Sequence, residues 1–161
     1  MATDAVSASA IGTATSWQPA SVLFMCTFNA VRSPMAEALT KAWVGMRIYV
    51  QSAGVNAGTL DHRATEVLSE IGVDATGHHA RSMEQLNDGG FELVITLSEQ
   101  ARAFAEDWCK TESLAHEHWD IPDVFDGEGS RAQQLDRFRG ARDMLRARIQ
   151  QRFPSAPEHG K

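Results

Sequence analysis

The chain has only two cysteines and one tyrosine in 161 residues. Its longest apolar runs fall far short of the roughly 20 residues that span a bilayer, so no membrane partner is expected. Cys26 and Cys109 lie far apart in unlike contexts, which excludes a disulfide framework and points to a reduced, cytoplasmic setting. Basic residues are scarce too: 15 Lys and Arg against 21 Asp and Glu give a formal net charge of −6. That balance excludes a broad nucleic-acid surface but leaves room for one small, locally positive pocket. Met1 to Ala20 lacks a basic start followed by an apolar block, so no cleaved signal peptide is expected.

With 43% hydrophobic and 22% charged residues, the composition is that of an ordinary globular protein of one-domain length. Residues 1–19 offer few large apolar groups to offset ordering entropy and are expected to be a flexible extension. Residues 154–161 have the same character. One domain is expected over 20–153.

Val22-Leu23-Phe24-Met25 is a continuous apolar run suited to a strand buried on both faces. A polar stretch, Thr27 to Ser33, follows. Ser33 then suits a helix N-cap, Pro34 the first helical position, and Met35, Leu39, Ala42 and Trp43 recur at helical spacing. Ile48-Tyr49-Val50 reads as a second strand ended by Ser52-Ala53-Gly54, and Arg63–Ile71 as a helix stopped by Gly72. Leu93 to Leu97 reads as a buried strand, Glu99 to Cys109 as a helix, and His116 to Ile121 as a fourth strand. The last helix buries Leu135, Phe138, Leu145 and Ile149, with Arg137, Arg139, Arg142 and Arg146 expected on its solvated face. Strands alternating with helices predict an α/β fold with a parallel sheet, whose ligand sits beyond the carboxyl ends of the strands.

The loop after the first strand is at such an end. Its sequence is Cys26-Thr27-Phe28-Asn29-Ala30-Val31-Arg32-Ser33, with five residues between the cysteine and the arginine. A loop this tight can turn the backbone N–H groups of Thr27, Phe28, Asn29, Ala30, Val31 and Ser33 into one concave anion site. The helix N-terminus adds unpaired donors and the positive end of its dipole. Thiols so placed titrate at about 3.5–7.5 instead of about 8.5. Ser33 is expected to support the thiolate, and Arg32 to grip two phosphate oxygens with its fork of donors. Asn29 tolerates the left-handed backbone that a tight loop needs. A cysteine and an arginine at this spacing also occur by chance; the preceding strand, the Asn and the Ser-Pro helix start make the pattern specific. These parts suit phosphoryl transfer through a phosphocysteine, with no metal or other cofactor required.

The stretch Val22-Leu23-Phe24-Met25-Cys26, Asn29 and Arg32-Ser33-Pro34-Met35-Ala36-Glu37-Ala38 resembles the signature of the low-molecular-weight protein tyrosine phosphatase family, which includes related arsenate reductases. The likeness continues through Ser52-Ala53-Gly54, Asp61-His62-Arg63-Ala64, Val94–Leu97 and Trp119-Asp120-Ile121-Pro122-Asp123. It implies a three-layer α/β/α sandwich with a four-stranded parallel sheet. It also implies a general acid at Asp123, with Val124 standing where the family has proline. Asp120 and Asp126 are read as solvated loop carboxylates. Phe28 stands where the phosphatases carry glycine, and either walls an aromatic substrate or merely packs. Val31 replaces a second loop cysteine. No tyrosine follows Asp123, so an aromatic wall must come from Phe125, from Phe28, or be missing.

The expected function is therefore a phosphatase acting on phosphotyrosine-like or other aryl phosphate monoesters, with a phosphorylated protein or small phosphate ester as partner. Two alternatives stand beside it. One is arsenate reduction on the same scaffold, for which Ser98 and the distant Cys109 disfavour a thioredoxin-coupled relay and leave a glutathione- or glutaredoxin-coupled one. The other is a non-catalytic phosphate or phosphoprotein sensor. His78 and His79 are adjacent, and His116 and His118 share a strand face, but no cysteine or carboxylate completes a recognised ligand spacing, so no metal is expected.

Overall fold

The first strand, β1 (Ser21–Cys26), is the hub of the molecule, and its apolar sequence is what a strand covered on both faces requires. A computed structural model describes residues 17–87, 89–124 and 128–155. After β1 come α1 (Arg32–Val44), a single 3₁₀ turn (Gly45–Arg47), β2 (Tyr49–Gly54) and α2 (His62–Ser69). They are followed by β3 (Leu93–Thr96), α3 (Glu99–Glu112), β4 (Ala115–His118) and α4 (Arg131–Arg152). The four strands lie in the order β2-β1-β3-β4, and every pairing is parallel.

Alternation along the strands divides the interior into two cores. Val22, Phe24 and Cys26 of β1, with Leu93 and Ile95 of β3, face one layer formed by α1, α2 and α4. Leu23, Met25 and Val94 face the other, where Ala101, Ala105 and Cys109 of α3 cover them. The result is the expected three-layer α/β/α sandwich. In α4, Leu135, Phe138, Leu145 and Ile149 are buried as the spacing predicts, and Ser130 caps the helix in a reciprocal box with Gln133. Truncating a ring such as Phe138, which is wholly buried, costs about 3–5 kcal/mol in a core of this kind.

Several boundaries differ from the sequence expectation, and each difference has a local cause. Ser52-Ala53-Gly54 does not end β2 but completes it, because Phe24 pairs with Ser52 and Cys26 with Gly54. Helix α1 starts at Arg32 with Val31 at the N-cap position and no side-chain cap. Ser33 is therefore inside the first turn, its hydroxyl engaged elsewhere. Helix α2 starts and ends earlier than predicted, because Asp61 accepts the Arg63 N–H as its cap and the chain reaches Gly72 through a turn at φ 77°. Helix α3 runs past Cys109 to Glu112 and closes on Ser113 at φ 59°. Strand β4 stops at His118, and Trp119 N–H bonds the Thr96 carbonyl at 2.9 Å as the chain leaves the sheet edge.

The arginines of α4 are not all a solvated face. Arg142 is buried, donating to the Val67 carbonyl and to Glu70 Oε1, each at 2.9 Å. Arg139 grips the same Glu70 at 2.7 Å. The two guanidiniums, Arg139 foremost, hold the Glu70 carboxyl down at about 2 against its partial desolvation. This pairing fastens α2 to α4. No helix among the described residues is long and apolar enough to cross a membrane.

Candidate active site

The Cys26 loop is held open from outside by the segment that follows β2. Val55 N–H donates to the Cys26 carbonyl at 3.0 Å and Asn56 N–H to that of Thr27 at 2.9 Å. Gly58 N–H reaches the Phe28 carbonyl at 2.8 Å and Asp61 N–H that of Ala30 at 2.9 Å. The loop carbonyls are thus drawn outward, and none of these tethers uses a loop N–H. That leaves the amides for the concave side, the arrangement of an anion nest. Asn29 sits at φ 53°, the left-handed backbone that lets so short a loop close. Gly54 is the point of closest approach. A Cβ added there would lie 2.3 Å from the Asn56 carbonyl oxygen, 2.7 Å from Asn29 N and 2.8 Å from the Phe28 carbonyl carbon.

Cys26 is buried at the floor. Its Sγ is 2.9 Å from Ser33 Oγ and 3.4 Å from the Ser33 N–H, so the first turn of α1 points a hydroxyl and an amide at the sulfur. This is where the Ser33 side chain went instead of capping the helix. Arg32 leaves the same turn half-buried and donates to the Ile121 carbonyl at 3.1 Å and to that of Leu97 at 3.5 Å. Those carbonyls belong to the chain just past β3 and β4, so the guanidinium is braced in part by the loop that carries Asp123. Within that loop Trp119, Ile121 and Val124 are buried while Asp120, Pro122 and Asp123 are exposed. Val124 supplies an apolar anchor next to Asp123.

A cleft of about 350 Å³ opens over the sulfur. It brings together Cys26, Arg32 and Asp123 with Thr27, Phe28, Ala30 and Val31 of the loop. Asn29 and Ser33 are fully buried behind it. Phe28 is 49% exposed, so it stands at the rim and not in the core. Phe125 and Asp126 lie outside the described residues. Tyr49 begins β2, at the end of the sheet away from the cleft, and stacks on Phe91. Beside the cleft, Thr27 Oγ1 lies 3.0 Å from Ser98 Oγ and 3.1 Å from Oε1 of Gln100, which lines it. Ser98 also caps α3.

Sequence reasoning missed Gln100, which lines the cleft, and a buried polar cluster behind the loop. There, Asn29 Nδ2 donates to Ser33 Oγ at 2.8 Å and to Ser52 Oγ at 2.9 Å, and Ser52 donates to Glu37 Oε1 at 2.6 Å. One signal was available: Glu37 interrupts the apolar, core-facing run of α1, and a carboxylate buried there needs partners.

The remaining thiol is elsewhere. Cys109 is packed on α3 among Leu23, Met25 and Val94, and burial pushes it up from its ordinary range. His116 Nε2 and His118 Nδ1 do share a face, both meeting Thr96 Oγ1, at 2.9 and 2.8 Å. Among the described residues, no group of three His, Cys, Asp or Glu side chains is placed to hold a metal ion.

Comparison with known proteins places this site in a family. Residues 21–158 match the sequence model described as "Low molecular weight phosphotyrosine protein phosphatase". An arsenate reductase of Halalkalibacterium halodurans is 32% identical over 130 residues, covering 80% of this chain and 91% of that protein. A glutaredoxin arsenate reductase of Synechocystis is 29% identical, covering 80% of this chain and 92% of its own. Among solved structures, an arginine phosphatase from Geobacillus stearothermophilus superimposes with a TM-score of 0.66 at 28% identity, over 83% of this chain and 90% of that one.

Proposed function

Because this chain belongs to the low-molecular-weight phosphotyrosine protein phosphatase family, we propose that it is a cysteine-dependent phosphatase acting on phosphotyrosine-like or other aryl phosphate monoesters. The observation that carries the reading is the convergence of Cys26, Arg32 and Asp123 on one cleft. The Cys26 thiolate attacks phosphorus in line, and the phosphorus–oxygen bond to the leaving group breaks as Asp123 gives that oxygen a proton. Loop amides and the Arg32 fork hold the charge on the three equatorial oxygens. Asp123, now a carboxylate, takes a proton from water as the water attacks the phosphocysteine. The sulfur–phosphorus bond breaks, and phosphate leaves.

Arsenate reduction is the second reading, favoured by the names of the curated relatives, one of which is named a glutaredoxin arsenate reductase. A relay through thioredoxin is disfavoured by two positions. Ser98 stands where the first relay cysteine would fall, and Cys109 is buried on the opposite face of the sheet from Cys26. The two readings separate in one comparison: hydrolysis of p-nitrophenyl phosphate assayed beside arsenate turnover, the latter with thioredoxin and with glutaredoxin plus glutathione. Phosphatase turnover lost in Cys26→Ser supports the proposal. Arsenate turnover with glutaredoxin and no ester hydrolysis would replace it. Asp123→Asn should slow phenyl phosphate far more than p-nitrophenyl phosphate, whose leaving group needs little protonation; equal slowing would place the acid elsewhere.

A further inference from the structure

A groove of about 840 Å³ lies on the α3 face of the sheet and shares no lining residue with the cleft. One helix, α3, covers this face, whereas three cover the other. The rest of the cover is segment 82–91, which places Met83, Leu86 and Phe91 along one side of the groove. That side is pinned by its own backbone. Gly54 N–H donates to the Arg81 carbonyl at 2.9 Å and Met83 N–H to that of Gly54 at 2.8 Å, which lashes the segment to the edge of β2. Its turn is closed by two further bonds, Ser82 N–H to Gln85 Oε1 at 2.9 Å and Gln85 N–H to Ser82 Oγ at 3.2 Å.

Helix α3 supplies the facing side. Phe104, Trp108 and Glu112 recur every four residues, so they lie in one stripe of the helix. The two rings sit 6.4 Å apart at 58° to each other, and Phe104 is 43% exposed. Phe91 is held by its stack on Tyr49. Three rings thus border one hollow, whose volume falls in the range of about 300–1,000 Å³ found for small-molecule sites. Apolar surface gathered in a concave site, unlike single apolar residues scattered over a surface, marks a place where something binds.

Charge selects the occupant. Glu84 and Glu112 line the groove, and no Lys, Arg or His does. Neither carboxylate has an ion-pair partner among the described residues. The cleft, by contrast, holds Arg32, and a pocket beside α1 holds Lys41 and Arg81. Two unanswered carboxylates on a chain of net charge −6 repel fatty acids, phosphate esters and nucleic acid. They attract a cation, and the electron-rich faces of the rings attract it further. Among the described residues no three His, Cys, Asp or Glu side chains are placed to hold a metal ion, and the rings reward an apolar body, so the cation they fit is organic.

We propose that this groove binds a small organic cation, a protonated amine on an aromatic or branched apolar body, its charge answered by Glu84 and Glu112 and its body laid against Phe104 and Trp108. The site is separate from the chemistry at Cys26 and does not depend on which ester the cleft accepts.

The probe that tests this is 4-phenylbutylamine, protonated at pH 7 as a lysine side chain is, set beside 4-phenylbutanol, which has the same body without the charge. Binding is read from the indole N–H resonance of Trp108 in a two-dimensional NMR titration, the resonance being assigned by its disappearance in Trp108→Phe. The amine should shift it saturably and bind about threefold or more tighter than the alcohol, and raising salt from about 50 to about 500 mM should close most of that gap. Glu84→Gln and Glu112→Gln together should bring the amine to the level of the alcohol while leaving the alcohol's binding and the Tm unchanged. Phe104→Ala, at an exposed position, should weaken both ligands. The proposal is overturned if the amine leaves the Trp108 resonance unmoved, if amine and alcohol bind alike to the wild-type chain, or if the double variant holds the amine as tightly as wild type. It is overturned too if a peptide of alternating leucine and lysine binds there about tenfold or more tighter than the amine, since the groove then belongs to a protein partner.

Discussion

Replacing Gly54 with alanine tests the tethered loop at its narrowest point. The added methyl would sit 2.3, 2.7 and 2.8 Å from three backbone atoms, of Asn56, Asn29 and Phe28. None of these is the movable end of a side chain, so the backbone must shift by the better part of an ångström on both sides of the contact. Overpacking of this kind costs about 1–3 kcal/mol or somewhat more. For a domain of this size each kcal/mol lowers Tm by about 2–4 °C, so a fall of roughly 2–12 °C is expected. The larger effect is on turnover. The displaced backbone belongs to the loop at Phe28 and Asn29 and to Asn56, whose N–H tethers the Thr27 carbonyl, and a misplacement of about 1 Å can cost on the order of 10²-fold. Two other glycines calibrate the experiment. At Gly58 the nearest contact is the Phe28 Cβ at 3.2 Å, and at Gly77 nothing lies within 4 Å. The expected order of loss, in both Tm and kcat on p-nitrophenyl phosphate, is Gly54→Ala, then Gly58→Ala, then Gly77→Ala close to wild type. Wild-type melting and turnover in Gly54→Ala would refute the claim that the 55–61 tethers shape the loop.

Arg32→Lys keeps a charge but loses the fork, and kcat/KM for p-nitrophenyl phosphate should fall by on the order of 10²–10³; a loss under tenfold would remove the bidentate clamp from the scheme. The Glu70 carboxyl, held at about 2 against an ordinary 4.5, contributes stability that is present above pH 4.5 and lost as pH falls toward 2. The Tm gap between wild type and Arg139→Gln should therefore narrow as pH is lowered through that window, and a gap constant from pH 7 to pH 2 would contradict the pairing. Cys109→Ala should leave phosphatase turnover unchanged while lowering Tm slightly, since the thiol is packed away from the cleft; loss of turnover would give it a role not assigned here.

Much of the fold was legible because the strands are short, apolar and separated by well-spaced helices. The Val22–Met25 run announced a central strand, and Leu135, Phe138, Leu145 and Ile149 announced the buried stripe of α4. What sequence reasoning lost depended on contacts across long separations. Ser33 was read both as a helix cap, which its place before Pro34 suits, and as a partner of the Cys26 sulfur; only the second contact is present, the hydroxyl being taken by Cys26 and Asn29, seven and four residues back. Ser52-Ala53-Gly54 looked like a strand end because serine and glycine end strands, but pairing to β1 carries β2 through them. Arg142 looked solvated because arginine usually is, and only the Val67 carbonyl and Glu70 of α2 account for its burial. Asp123 could be reached by resemblance but not by pattern, since one exposed loop carboxylate is locally indistinguishable from Asp120.

The placement of the two thiols also bears on how the protein meets oxidants. Cys26 and Cys109 belong to the cores on opposite faces of one sheet. A disulfide needs Cα atoms about 4.4–6.8 Å apart, and a covering layer of β1 and β3 side chains lies between these two. Val31 occupies the loop position where a nearer partner would stand, and it is buried in the core. An oxidised Cys26 therefore has no resolving cysteine in this chain and must be reduced by a thiol from outside, entering through the same cleft that admits substrate. The fold thus leaves the open face as the one route by which an outside thiol can reach the sulfur.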